Sequence, residues 1–328
     1  MRVASVLAAL CLGTSSAPAA LSAVGSALAA DLDCAQIKLV VPYPAGGATD
    51  VAARVVGERL EASLKKSAII ETRPGATGNI GTVAVVNSKP DGCTLLVNAA
   101  VIATFPHSFS RLNYDPLNDL VPIGGIGVTP TLLIAAPSVA AHDIKGLVQL
   151  SRDKPDGLNF STAGYGLLQH LAVEEIAQRT GAKFTHIVYK GGGQATTDLI
   201  TARVDFGSFA AGTVNPFLQD GKLKALAVVQ DQRSPLAPNV ATTAEQGLPG
   251  LNAGVHFMLF APGGTPKNIV TALNAELRRI VGDPAMKERF LKIGFDPTPI
   301  TAEETAAIVR RTGEAWAPLI RRLNIKLD

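Results

Sequence analysis

The sequence predicts an α/β protein of two lobes that face each other across a cleft. Units of strand, glycine-rich loop and helix occur four times along the chain. Such units pair their strands in parallel and place their loops at one edge of the sheet. A chain of 328 residues also exceeds the usual size of one domain. Because ligands of open α/β sheets bind beside the carboxyl ends of the strands, we expect a ligand pocket between the lobes, with hinge closure around it.

The first 29 residues have the pattern of a secretory signal peptide. Arg2 precedes an apolar run at 3–12, and small residues follow up to Ala29. This pattern predicts cleavage after Ala29 and export of the mature protein. A membrane anchor is the alternative, but the apolar run is short, and no later segment reaches the roughly 20 apolar residues that a bilayer span needs. We therefore expect an exported soluble protein without membrane insertion.

The overall charge argues against a nucleic-acid partner. The chain carries 30 Lys and Arg residues against 27 Asp and Glu residues, a formal net charge of +3, without any run of basic residues. Proteins that bind nucleic acids or anionic membranes concentrate basic residues in a patch or stripe. A small-molecule ligand is therefore the expected partner.

Two cysteines, Cys34 and Cys93, remain after removal of the predicted signal peptide. Each precedes a predicted parallel strand, at 37–41 and at 94–97. If these strands are neighbours, both thiols lie at the same sheet edge, and an oxidising compartment favours a disulfide between them. A pair of buried free thiols is the alternative. Since the glycine-rich loops lie at the opposite edge, the bridge would be structural.

The first glycine-rich loop, YPAGGATD at 43–50, connects the strand at 37–41 to an amphipathic helix. Its glycines allow close backbone approach, and Thr49 or Asp50 can cap the helix. The helix end offers free N–H groups and a partial positive charge, which suit a small anion. A second loop at 73–79 joins the strand at 68–70 to a helix at 80–87. Either loop alone could be plain structure, whereas together they favour a shared pocket.

In the rest of the chain, apolar residues recur with the spacing of strands and of helices. Two further units of strand, glycine-rich loop and helix are predicted at 158–179 and 185–200. The remaining predicted elements are strands at 121–126, 131–135, 204–209, 225–229 and 254–260 and helices at 143–151, 214–218, 266–281, 284–292 and 302–323.

The sequence offers hydrogen-bond donors but no arrangement for covalent catalysis. Its five histidines show neither His-x-x-x-His nor Cys/His spacing, so no metal site is expected. Gly164-Tyr165-Gly166 has tyrosine where a nucleophile elbow has serine. His170, one turn into a helix at the pocket edge, either bonds a ligand or is a structural histidine. We predict a recognition site without catalytic residues, metal or cofactor.

Seven segments, in this order, closely resemble the Bug-type periplasmic receptors of tripartite tricarboxylate transporters. They are IKLVVPYPAGGATDVAARVV, ETRPGATGNIGT, PDGCTLL, LNFSTAGYG, YKGGGQATTDLI, GKLKALAV and APGGTPKNIV, and they cover essentially the whole mature chain. The resemblance implies a two-lobed periplasmic-binding-protein fold of the type II-like class. It implies that a small carboxylate is captured between the lobes for membrane transporter subunits, in the periplasm and by a monomer. Lobe 1 is predicted at 30–128 and 257–328, and lobe 2 at 129–256.

The same resemblance implies which residues contact the ligand. In lobe 1 these are Tyr43, Gly47, Ala48, Thr49, Asp50, Asn79 and Phe257. In lobe 2 they are Ala163, Gly164, Gly166, Leu167, His170, Tyr189, Ser208 and Phe209. Lys190 and Gly191 belong to the matching YKG run.

Three departures from the family pattern bear on the ligand. Leu167 replaces the usual threonine, and Ser208 and Phe209 stand where relatives commonly have a Phe-Asp pair. A carboxylate at that position would suit a ligand amino group, so its loss argues against an amino acid. Phe257, where the family often has tryptophan, retains an aromatic wall. The resemblance thus implies a mono- or dicarboxylate with an apolar or aromatic body.

Two other functions stay open at this stage. A sensory receptor for a membrane signalling partner would share the pocket and differ only in what binds the outer lobe surfaces. An exported α/β hydrolase would need a nucleophile, and the missing nucleophile elbow counts against that alternative.

Overall fold

A computed structural model describes residues 32–189 and 192–327. The predicted signal peptide, Lys190 and Gly191 lie outside the described residues. The first sheet contains β1 (Gln36–Val41), β2 (Ser67–Thr72), β3 (Thr94–Ala99), β4 (Leu120–Thr129), β10 (Val255–Pro262) and β11 (Asp296–Pro297). The second contains β5 (Thr131–Ala135), β6 (Leu158–Thr162), β7 (Phe184–Val188), β8 (Phe206–Ala210) and β9 (Lys224–Val228). Their strand orders are β11-β4-β10-β3-β1-β2 and β7-β6-β8-β5-β9.

Helices cover both faces of each sheet. In chain order they are α1 (Ala48–Leu64), α2 (Asn79–Val86), α3 (Phe105–Ser108), α4 (Ile144–Asp153), α5 (Leu168–Thr180), α6 (Gly192–Ile200), α7 (Ala211–Gln219), α8 (Lys267–Gly282), α9 (Pro284–Lys292) and α10 (Ala302–Arg322). Short 3₁₀ turns lie at Ala76–Gly78 and Ala100–Thr104. Because side chains alternate along a strand, Leu39 of β1 packs in the core beneath α1 and α8, whereas Val40 packs with α2 and α10.

The strand directions place the glycine-rich loops between the lobes. In the first sheet β1, β2 and β3 are parallel, and β10 runs antiparallel to both β3 and β4, so β4 points the same way as β1. Since β4 leads directly into β5, the carboxyl ends of the first three strands face the second sheet. In that sheet β8 is antiparallel to β5 and parallel to β6, which is parallel to β7. The carboxyl ends of β6 and β7 therefore point back toward the first sheet.

The lobe boundaries expected from the sequence differ from the strand limits. The predicted breaks, after residue 128 and after residue 256, each fall within a strand, β4 and β10. Thr131 Oγ1 donates to the Ala253 carbonyl, which keeps the chain in the second lobe up to that residue. Because β4 and β10 pair with each other in the first sheet as far as Thr129 and Val255, we propose Pro130 and Gly254 as the boundaries instead.

The predicted disulfide is confirmed. Cys34 and Cys93 are bonded, with their Cα atoms 6.1 Å apart. Each cysteine precedes one of two neighbouring parallel strands, β1 and β3, which pair Lys38 with Thr94. The bridge therefore lies at the edge opposite the glycine-rich loops. Among the described residues, no helix is both long and apolar enough to cross a membrane.

Candidate functional site

The first candidate loop ends in a helix N-terminus that no side chain caps. Helix α1 begins at Ala48 with Gly47 as its N-cap residue, so the prediction that Thr49 or Asp50 caps this end is wrong. Both residues lie inside the first turn. Asp50 Oδ2 instead accepts hydrogen bonds from Gly46 N–H and from Arg54 Nε, each at 2.9 Å. The first-turn N–H groups of α1 have no acceptor within the helix and can bind an anion.

Two buried side chains support this helix end. Asp50 is 2% exposed, and Thr49 is 6% exposed, whereas Gly47 and Ala48 are open to solvent. The hydrogen bond from Arg54 holds the pKa of Asp50 below its usual value, so the carboxylate stays charged. Its other oxygen, Oδ1, has no hydrogen-bond partner among the described residues.

Tyr43 and Asn79 lie beside this helix end, on the same edge of the first sheet. Tyr43 Oη is 3.5 Å from the Thr77 carbonyl, and its ring lies 3.1 Å from where a Cβ on Gly78 would be. Burial raises the pKa of Tyr43 to about 12, which keeps its hydroxyl protonated. Asn79 Oδ1 accepts a hydrogen bond of 3.0 Å from Tyr114, so the amide nitrogen of Asn79 stays available as a donor. Tyr114 lies between the predicted strands at 94–97 and 121–126, outside every predicted element, so no sequence pattern pointed to it.

The facing loop of lobe 2 follows β6 and has its own internal hydrogen bonds. Thr162 Oγ1 donates to the Gly164 carbonyl at 2.9 Å and accepts from Gly164 N–H at 3.3 Å. Gly166 has φ +72°, a conformation that favours glycine, and its N–H donates to His170 Nδ1 at 3.1 Å. Helix α5 then begins with Leu167 as N-cap residue, again without a side-chain cap.

His170 supports the loop from behind. Its side chain is 3% exposed, its Nδ1 is occupied by Gly166 N–H, and its Nε2 lies 3.5 Å from Glu174 Oε1. The ring stacks on His186, with centroids 4.2 Å apart. This packing favours the structural alternative for His170 over direct ligand contact.

His186 completes the support. Its Nε2 is 2.9 Å from Thr162 Oγ1. Because the Thr162 hydroxyl hydrogen is directed to the Gly164 carbonyl, the hydrogen of this contact resides on His186 Nε2. Burial, and secondarily the neighbouring His170, lower the pKa of His186 to about 3. The neutral imidazole is therefore the form that holds the loop.

This arrangement predicts an acid-sensitive fold. Unfolded histidine titrates near pH 6.5, whereas folded His186 titrates near pH 3, so the unfolded chain binds the extra proton between these values. The free energy of unfolding should therefore fall as the pH drops below about 6.5. The upper limit of this slope for one histidine is about 1.4 kcal/mol per pH unit. The partial exposure of His186 lowers the slope below that limit. Urea unfolding from pH 7 to pH 4 measures this slope.

The variant His186→Phe keeps a stacked ring and removes the titrating group. Its slope should be shallower than that of the parent, with a remaining contribution from His256, whose pKa burial lowers to about 4. Identical slopes in variant and parent would contradict the role given to His186.

Ser208 and Phe209, predicted to face the ligand, are both buried in lobe 2. Ser208 is fully buried, and its Oγ has no hydrogen-bond partner among the described residues. The Phe209 ring lies over Gly207, where a Cβ would be 2.4 Å from Cε2, and belongs to the apolar cluster of Leu132 and Val214. The prediction of a cleft-facing Phe209 is therefore corrected, since its ring packs in the core of the lobe.

The side chains of Phe257 and Tyr189 also contact residues of their own lobes. Phe257 is 5% exposed and packs edge-on against Phe295, with ring centroids 4.9 Å apart, so it is a core residue of lobe 1. Tyr189 Oη donates to Asp198 Oδ2 at 2.9 Å. Burial and this carboxylate raise the pKa of Tyr189. Ala163 is half-buried in the loop after β6.

The structure thus divides the predicted site residues into two groups. One group lies on the loops and helix ends that follow β1, β2, β6 and β7: Tyr43, Gly47, Ala48, Thr49, Asp50, Asn79, Ala163, Gly164, Gly166, Leu167 and Tyr189. The other group supports these loops or packs in a core: His170, Ser208, Phe209 and Phe257.

Comparison with known proteins places this architecture in a family. Residues 52–325 match the family model described as tripartite tricarboxylate transporter family receptor. The chain belongs to this family. Among curated relatives of this receptor family, the chain is similar to protein BugT of Bordetella pertussis (strain Tohama I). The two are 33% identical over 293 residues, which cover 89% of this chain and 90% of BugT.

Solved structures confirm the two-lobed fold of this receptor. One similar structure is that of R. palustris Rpa4515 with adipate. Its TM-score is 0.79 and its sequence identity 29%, and the match covers 89% of this chain and 98% of that one. The chain is also similar to MatC (Rpa3494) from Rhodopseudomonas palustris with bound malate, with a TM-score of 0.73, 29% identity and coverage of 87% and 98%.

Proposed function

We propose that this receptor captures a small carboxylate between its lobes and delivers it to membrane transporter subunits. The observation that carries the proposal is a pair of long helices, α1 and α5, that begin at the facing loops of opposite lobes without a side-chain cap. Each helix end offers several backbone N–H groups and a partial positive charge. Two such ends, one from each lobe, match a ligand with a carboxylate at either end.

The similar proteins support this ligand class. Adipate and malate, named with the two solved structures, both carry two carboxylates. The loops at the two helix ends are mixed in character, because Leu167 has an apolar side chain and Asn79 an amide. A dicarboxylate with an aliphatic body fits this combination best. Since Phe209 and Phe257 pack in the lobe cores, they do not support a dedicated aromatic wall.

The proposal includes the location of the protein. Residues 1–29 would direct export and be removed after Ala29, and the mature monomer would act in the periplasm without catalysing a reaction. The Cys34–Cys93 bridge supports an oxidising compartment for the mature chain.

Dicarboxylates should raise the melting temperature of the protein. A ligand that binds only the folded state stabilises it by about 2.7 kcal/mol at a concentration of 100 times Kd. Thermal unfolding is measured with adipate, malate and other diacids, after unfolding and refolding to remove ligand carried through purification. The monomethyl esters and diamides of the same acids are the controls and should stabilise less. Equal melting temperatures with and without every acid in the panel would count against the proposal.

Thr49 provides a residue-level test. In the described part of the chain its hydroxyl forms no hydrogen bond within the protein, so it is available to a ligand carboxylate. Thr49→Val should weaken binding by roughly 1 kcal/mol, or somewhat more because the acceptor is charged. The matched control is Thr180→Val, at the far end of α5, where the hydroxyl bonds the Ile176 carbonyl. If Thr49→Val binds the ligand as tightly as the parent, Thr49 does not contact it.

A further inference from the structure

A second cavity lies between α5 of lobe 2 and α10 of lobe 1. It encloses about 530 Å³, a volume suited to a small organic molecule. Its third wall is the segment at 250–256, which contains the end of the second lobe and the start of β10. Among the residues that the structure describes, none from the glycine-rich loops lines it. The cavity is therefore separate from the candidate carboxylate site, although both are bounded by the two lobes.

The charged residues of this cavity leave an excess of positive charge. Of the described residues, three arginines and one glutamate line it. Glu175 is shared, since its Oε1 accepts from Arg179 Nε at 2.8 Å and its Oε2 from Arg322 Nη2 at 3.3 Å. Arg179 also donates to the Pro249 carbonyl. Arg311 is exposed on α10 and forms no ion pair and no hydrogen bond with any described residue.

A histidine of the same cavity also has an unused polar atom. His256 Nδ1 is buried and has no hydrogen-bond partner among the described residues. Burial, and secondarily the charge of Arg311, lower the pKa of His256 to about 4, so the ring is neutral at neutral pH. An unpartnered buried nitrogen is costly unless a ligand or water satisfies it. Together with the free guanidinium, it marks one end of the cavity as polar and cationic.

The remaining lining is largely apolar. Leu251 and Trp316 are buried core residues whose side chains reach this cavity, and α5 contributes Leu168. The cavity therefore combines a cationic end with an apolar wall. A molecule with one anionic group and an apolar body satisfies both parts.

We infer that this cavity is a second binding site, specific for a small carboxylate with an apolar body and anchored by Arg311. Because α5 and α10 belong to different lobes, an occupant between them stabilises one relative arrangement of the lobes. Binding at this site is then thermodynamically coupled to binding at the loops, in both directions.

Trp316 provides a direct probe of this site. It is the single tryptophan of the chain and lines the cavity. Titration of the refolded protein with benzoate should change its fluorescence in a saturable way. Benzamide, which has the same shape without the charge, should bind at least about tenfold more weakly, since a charge-assisted hydrogen bond is lost. The absence of a saturable response to benzoate would overturn the inference.

Three variants assign the response to the cavity. Arg311→Met should weaken benzoate binding at least about tenfold. Arg310→Met removes the same charge from the preceding residue, which lines a different groove beside Tyr114, and should bind benzoate as the parent does. Thr49→Val tests whether the response arises instead from benzoate bound at the candidate carboxylate site. The fluorescence change could instead be lost in Thr49→Val and kept in Arg311→Met. That result would show that benzoate binds at the candidate carboxylate site and changes the fluorescence through lobe closure, and it would overturn the inference of a second site.

Discussion

The double substitution Cys34→Ala and Cys93→Ala should lower the free energy of unfolding by about 4 kcal/mol, the largest effect we expect. The bridge joins residues 59 positions apart and closes a loop that contains β1, α1, β2 and α2. A cross-link of this length restricts the unfolded chain strongly, because the entropy of loop closure grows with the length of the loop. Urea unfolding of the oxidised parent and of the variant measures the difference.

Reduction of the parent is the control for this prediction. Dithiothreitol should bring the parent close to the stability of the double variant, and it should leave the variant unchanged. Alanine is used because Cys93 is buried, with 9% of its surface exposed, and tolerates a small apolar side chain. A difference below about 1 kcal/mol, far under the range measured for native disulfides, would contradict the prediction.

Asp50→Ala should have the second-largest effect, on stability and on ligand affinity together. The carboxylate of Asp50 accepts from Gly46 N–H and from Arg54 Nε, so its removal frees the loop that precedes α1. Hydrogen bonds to a charged group contribute about 1.5–3 kcal/mol. We expect a loss of that size in urea unfolding and at least about a tenfold loss in carboxylate affinity, because the anion site is no longer preorganised.

The comparison with Arg54→Met separates the two contacts of Asp50. The Arg54 side chain is 58% exposed, and an ion pair at the surface contributes about 0–1 kcal/mol. Arg54→Met should therefore cost much less than Asp50→Ala. The pKa of Asp50 is lowered in the folded state, so its contribution is present above the unfolded pKa and is lost as the pH falls through the folded value. Equal costs for the two variants would show that Gly46 N–H contributes little.

Most of the regular structure could be predicted because local patterns specify it. The four strand–loop–helix units correspond to β1–α1, β2–α2, β6–α5 and β7–α6. Their apolar residues recur with the period of a strand or of a helix, and glycines mark the turns between them. The disulfide followed from the same reasoning, because parallel neighbouring strands bring the residues before them together.

The elements that were missed depend on distant residues. Helix α3 is four residues long and packs against α10, nearly 200 positions later in the chain. Strand β11 is two residues long and exists because Asp296 and Pro297 pair with β4. Segments this short carry no measurable periodicity.

The candidate site shows the same division between local and tertiary information. The two loops with uncapped helix ends could be recognised from glycine positions next to helical patterns, because backbone conformation is a local property. The direction of Phe209, Phe257 and His170 could not, since each ring is placed by residues far away in the chain: Leu132, Phe295 and His186. The cavity with Arg311 was also invisible, because its walls come from separate helices.

By itself, the sequence determined the α/β units, the parallel strands and the family, and it favoured a covalent bridge over two free thiols. All of these depend on residue spacing within short segments or on the resemblance of whole segments. Only the tertiary structure decided which side chains of the candidate site are free to bind. Burial and hydrogen-bond partners depend on the packing of segments that lie far apart in the chain. That packing leaves the side chains of Thr49 and Arg311 without a hydrogen-bond partner among the described residues. It also buries Phe209 and gives His170 a hydrogen bond from Gly166 N–H.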